Sequence, residues 1–170
     1  PVSAENEMTY QEFLQSKKRE QFGIGPTHAA IAPQLYDWQQ AITRWAVKKG
    51  RAAIFADCGL GKTFMQVAWM RALDVRTLIL APLCVAEQTV AEAAKLGVPV
   101  HYALDGQSAH GQFVITNYER LDKFDPDDFD AVVLDESSIL KSFDGKTRTK
   151  LIDTFKRTKY RLCCTATPSP

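Results

Sequence analysis

Residues 56–63 read ADCGLGKT, and they stand between an apolar run and a helix-like pattern. A phosphate cradle needs backbone N–H groups turned inward, so glycines must take conformations that other residues resist. It also needs a helix N-terminus behind the anion, a mobile lysine ammonium, and a hydroxyl able to hold magnesium. The turn Gly59, Leu60, Gly61 followed by Lys62 and Thr63 supplies each of these. The pattern G-x-x-x-x-G-K-[ST] is met except at its first position, which is Ala56. The plain alternative is a glycine turn followed by Lys-Thr by chance, and the strand–loop–helix setting argues against it.

A second set of groups lies 73 residues beyond Lys62, where the apolar run AVVL ends in Asp135 and Glu136. In P-loop ATPases an aspartate so placed holds magnesium and a following glutamate polarises the attacking water. A lone acidic pair capping a strand is common. Two carboxylates could also bind a metal without nucleotide, but Lys62 would then have no task.

These groups must be carried by a scaffold, and the hydrophobic pattern describes one. Strand-type runs are expected at 52–56, 77–82, 112–117, 131–136 and 160–168. Helices are expected at 34–50, 62–73, 84–97 and 146–157, and a short polar one at 9–20. Short apolar strands alternating with helices indicate βαβ units around a parallel sheet. Trp38, Trp45 and Trp69 fall at helical spacings and are expected in the core.

The chain has 170 residues, is 45% hydrophobic and carries a formal net charge of +1. Such a balance does not by itself announce a nucleic-acid binder. The charge is segregated, however: eight acids lie in 119–136 and eight bases in 141–161. Two solvated faces are the plain explanation. Cys58, Cys84, Cys163 and Cys164 make no CxxC pair, which excludes a zinc ligand set or disulfide framework and points to a reduced, cytoplasmic setting. No apolar run reaches membrane-spanning length, and the N-terminus is too polar for a signal peptide. His28, His101 and His110 form no metal or dyad pattern.

The order of motifs resembles superfamily 2 helicases and translocases (the DEAD/DEAH-type ATPases), and among them the Swi/Snf-like members. Gln39, in LYDWQQAI, falls where that family has its adenine-reading glutamine. ADCGLGKT resembles motif I, and LILAPLCVAEQTVAEAAKL (78–96) motif Ia. VITNYERL (114–121) resembles motif Ib, LDESSILK (134–141) motif II, and CCTATPSP (163–170) motif III. The ending is also similar to phage- or prophage-encoded members.

The resemblance implies a three-layer α/β/α RecA-like P-loop domain over 34–170, the first ATP-binding lobe, preceded by an N-terminal extension at 1–33. It implies ATP and Mg2+ as cofactors. Gln39 would read adenine. Gly59, Leu60, Gly61 and Lys62 would hold phosphates, Thr63 and Asp135 magnesium, and Glu136 the water. Thr165 and Thr167 would couple nucleotide state to the nucleic-acid side. Pro82, Gln88, Thr116, Asn117 and Tyr118 would touch nucleic acid, double-stranded DNA above all, and Lys141 would extend that track. The setting would be bacterial or phage-infected cytoplasm, with no membrane partner.

Two departures bear on this. Ser137 and Ser138 follow Asp135-Glu136 in place of the family's usual pair. The family's second lobe, with its arginine finger, has no counterpart in these 170 residues, so a monomeric fragment with little or no turnover is expected. Two rivals stay open: a P-loop scaffold or recruitment module without turnover, and a P-loop kinase or metabolic NTPase. Motifs Ia and III find no place in the latter.

Overall fold

The computed structural model describes Thr9 and residues 23–137 and 145–168. The helix expected at 9–20, apart from Thr9, lies outside these residues, as do Ser138 and Lys141. Helix α1 spans Asp37–Lys49, α2 Lys62–Leu73, α3 Leu83–Lys95 and α4 Gly145–Phe155. The strands are β1 (Arg51–Phe55), β2 (Thr77–Ala81), β3 (Val100–Tyr102), β4 (Phe113–Asn117), β5 (Ala131–Leu134) and β6 (Tyr160–Thr165).

The six strands form one sheet in the order β1-β6-β5-β2-β4-β3. Every pairing is parallel. All strands therefore end at one edge, and the loops that follow them share that edge.

The sheet is covered on both faces, as a parallel sheet must be. Alternation along each strand divides the side chains. Ile79, Ala81, Ile115, Ala131 and Val133 enter one core with residues of α1, α2 and α3. Leu78, Leu80, Val114 and Val132 enter the other with Leu151 and Phe155 of α4. The layering is the expected α/β/α arrangement of a RecA-like domain.

Helix α2 is the most deeply set. Met65 through Met70 are all buried, which explains why its sequence is apolar nearly all round. Helix α1 shows a difference from expectation. Its buried positions are Gln39, Thr43, Ala46 and Val47, while Trp38 is 42% and Trp45 47% exposed. The helical period is as expected, but the buried stripe is turned by about one residue. Trp69, by contrast, is fully buried.

Strand β3 escapes the sequence pattern because it has three residues and only Val100 is buried. Short 3-10 helices at Tyr118–Lys123 and Pro126–Asp128 join β4 to β5.

Candidate nucleotide and metal site

The loop after β1 turns through two glycines. Gly59 has φ 78° and Gly61 φ 71°, both in the left-handed region. Gly61 also caps the N-terminus of α2. A Cβ there would stand 2.5 Å from Nε2 of Gln39. Only glycine satisfies both the dihedral and the contact.

That contact has a purpose. Nε2 of Gln39 donates to the Leu60 carbonyl at 3.0 Å, and its Oε1 accepts from the Tyr36 N–H at 3.0 Å. The buried amide ties the start of α1 to the glycine loop, which accounts for the rotated stripe on α1. Inside the loop, the Lys62 ammonium donates to the carbonyls of Ala56 at 2.9 Å and Asp57 at 3.1 Å. The N-terminus of α2 opens behind it with no side-chain cap.

Asp135 follows β5 and is 6% exposed. Its N–H donates to the Leu80 carbonyl at 2.8 Å, and its own carbonyl accepts from the buried Tyr118 hydroxyl at 2.7 Å. Its Oδ1 accepts from Nε2 of Gln66 at 2.6 Å. Burial raises the Asp135 carboxyl above the usual aspartate range, against the lowering pull of Gln66 and of the Lys62 charge. The Tyr118 hydroxyl is likewise pushed up, first by burial and then by the Asp135 charge.

Glu136 adopts φ 50°, uncommon for a residue with a side chain. Its Oε1 accepts from the Thr165 hydroxyl at 2.8 Å, and Thr165 Oγ1 in turn accepts from the Thr167 N–H at 3.0 Å. Ser137 donates to the Cys164 carbonyl at 3.2 Å. Strand β6 thus lies between the glycine loop and the carboxylates and touches both, since the Ala56 N–H also reaches the Thr165 carbonyl at 3.2 Å. Lys62, Thr63, Asp135, Glu136, Thr165 and Thr167 share one end of the sheet.

The remaining expected residues divide. Pro82 caps α3 and is partly exposed, and Gln88 is exposed, its amide donating to Glu92 at 2.9 Å. Thr116, Asn117 and Tyr118 are buried. They do not present side chains at the surface where a backbone-gripping track was expected, because β4 is covered on both faces. The segregated charges also partly face each other: Lys150 pairs with Asp122, and Arg157 with Asp127 at 2.6 Å. Gln66 escaped the sequence reading altogether. Its signal was a lone amide within the apolar stretch FMQVAWM.

The donor set fits a magnesium–nucleotide group. The turned glycine loop, an uncapped helix N-terminus and Lys62 suit phosphate oxygens. Thr63 and Asp135 offer the hard oxygens magnesium takes, in the small number usual when phosphates and water complete its shell. Among the described residues no group of three or more His, Cys, Asp or Glu forms a separate metal cluster.

The family described as type III restriction enzyme, res subunit (ResIII), matches residues 32–170. The chain belongs to the ResIII family. This ResIII domain is a helicase-like ATPase domain, and nucleotide use comes with that class. No curated protein matches the chain. Its fold is similar to the UvsW helicase from bacteriophage T4, at 12% identity over 95% of this chain and 61% of that one, with a TM-score of 0.66. It is similar to the Sulfolobus solfataricus SWI2/SNF2 ATPase core solved in complex with dsDNA, at 20% identity over 86% and 35%, with a TM-score of 0.64. The Pyrococcus furiosus Hef helicase domain also resembles it, at 20% identity over 81% and 33%, with a TM-score of 0.64. The ResIII chain thus spans 61% of the first of these structures and about a third of the other two. Among the described residues no helix is long and apolar enough to cross a membrane.

Proposed function

We propose that this chain is the ATP-binding lobe of a DNA-dependent motor that couples ATP hydrolysis to movement on DNA. The observation that carries the reading is the convergence of the 59–63 loop and the 135–136 carboxylates at one sheet end, bridged by Thr165. Membership of the ResIII family and the dsDNA complex of the Sulfolobus neighbour support the nucleic-acid side of it.

Lys62 and the loop amides hold the β and γ phosphates. Thr63 and Asp135 hold magnesium, which when bound neutralises phosphate charge and draws electron density from the bond to be broken. Glu136 accepts a hydrogen bond from the attacking water and orients it. Thr165 donates to that same carboxylate, so the β6 end reports whether Glu136 is engaged. Gln39 shapes the loop through Leu60, and with its amide engaged there and at Tyr36 it would contact adenine only by exchanging those partners. Pro82 and Gln88 are the exposed candidates for nucleic acid, and Lys141 remains one by its position after the carboxylates. Residues 1–33 are an extension, and 34–170 the lobe. An arginine from a second lobe would complete the site, so this lobe alone turns over little.

Fluorescent ADP and ATP titrations test the reading. Magnesium-dependent binding by the wild-type chain and its loss in Lys62→Ala support it. Hydrolysis by a two-lobed protein carrying this chain should rise on adding duplex DNA. Wild-type affinity no better than that of Lys62→Ala would sink it. Binding by the chain together with a longer protein that never hydrolyses ATP would favour a recruitment module instead.

A further inference from the structure

Gln66 sits one helical turn beyond Thr63 on α2 and is 0% exposed. Its Nε2 reaches Oδ1 of Asp135 at 2.6 Å, short enough for a charge-assisted bond. The orientation of the amide follows from chemistry, because its oxygen against a carboxylate would oppose two acceptors. Oε1 is left buried without a hydrogen-bond partner. An orphaned acceptor destabilises the fold, so apolar packing does not account for an amide here, and what the amide serves is the Asp135 carboxylate it faces.

The backbone around Asp135 is already pinned on both sides, by the Leu80 carbonyl and the Tyr118 hydroxyl. The freedom that remains is rotation of the carboxylate, and Gln66 removes it. We propose that Gln66 is a positioning residue: it occupies Oδ1 of Asp135 and leaves Oδ2 aimed for the magnesium of the bound nucleotide. Because Gln66 belongs to the helix that begins at Lys62 and Thr63, phosphate cradle and metal ligand are held in register by a single side chain. The inference rests on the reading of Asp135 as a metal ligand.

The test titrates magnesium into the chain holding fluorescent ADP, with Gln66→Met (same length, no donor) and Gln66→Asn (donor kept, one methylene too short). Loss of a group that orients a metal ligand typically weakens metal affinity by about ten- to a hundredfold, and we expect that in both variants. ADP affinity without magnesium should stay within about twofold of wild type, since the loop and Lys62 are untouched. The two substitutions disturb the core in opposite ways, one filling it and one leaving a gap. A shared defect confined to magnesium thus reports the lost bond. Wild-type magnesium affinity in either variant overturns the proposal. So does an equal loss of magnesium-free ADP binding, which is how a purely structural residue would behave. If the wild-type chain binds no nucleotide, or if Asp135→Asn keeps the magnesium effect, the functional reading itself fails and the inference falls with it.

Discussion

The Thr165 hydroxyl donates to Oε1 of Glu136 across 2.8 Å, joining the end of β6 to the residue assigned to orient water. Thr165→Val keeps the shape and removes the donor. A hydrogen bond to a charged, partly buried acceptor contributes about 1.5–3 kcal/mol, so the chain should unfold at lower temperature. Nucleotide affinity should hold, while any DNA-stimulated hydrolysis by a two-lobed protein carrying this chain falls by about tenfold or more. Paired melting curves and hydrolysis rates with and without duplex DNA check this. Stimulation unchanged in the variant would remove Thr165 from the coupling path.

Glu136 has φ 50°, a conformation that opposes its side chain by about 1 kcal/mol or more. Glu136→Gly should relieve that strain, offset in part by the lost bond to Thr165, while hydrolysis is abolished. Thermal melts of Glu136→Gly against Glu136→Ala separate the two effects. Glycine should melt above alanine by about 2–4 °C, and equal midpoints would mean no stored strain.

Both polar atoms of the Gln39 amide are engaged, with Leu60 and Tyr36. Gln39→Leu should therefore loosen the glycine loop and weaken ADP and GDP alike, by about tenfold for a defect near 1.4 kcal/mol. Isothermal titration with both nucleotides decides the matter. Loss restricted to ADP would instead show direct reading of the base.

Removing the Tyr118 hydroxyl leaves the buried Asp135 carbonyl without its donor. Tyr118→Phe should lower stability by about 1–2 kcal/mol, measurable as a smaller urea midpoint at unchanged slope. An unaltered midpoint would mean that the hydroxyl contributes nothing to holding the strand end.

Asp135 has a raised carboxyl pKa, chiefly through burial. The folded chain then binds a proton that the unfolded chain does not, in the window between the folded value and the ordinary 3.8. Across that window this group adds stability as pH falls and removes it as pH rises. Asp135→Asn, neutral at every pH, should be more stable than wild type at neutral pH in chelator, and the difference should shrink as pH falls through the window. A gap that widens toward acid would give the shift the opposite sign.

Much of the scaffold was legible because it depends on local patterning. Apolar runs such as TLIL and AVVL are short and alternate with helical patterns, which fits strands buried on two faces, and the helix from Lys62 to Leu73 was expected with those ends. The glycine loop was legible because its chemistry needs neighbours in sequence. The phase of α1 was not legible. Trp38 and Trp45 look like core by hydrophobicity, yet Gln39 and Thr43 face inward because an amide is needed beneath the Leu60 carbonyl.

Sequence alone singled out the glycine loop and the acidic strand end and determined that a parallel α/β sheet presents them, since alternation, glycine turns and acidic strand ends are written within a few residues of one another. Strand order was decided only by the tertiary structure. Placing β6 between β1 and β5 brings Thr165 to Glu136, and packing α2 on the sheet brings Gln66 to Asp135, contacts 29 and 69 residues apart in the chain. Pairings at such separations follow from how the two faces of the sheet are filled, and no local pattern encodes that.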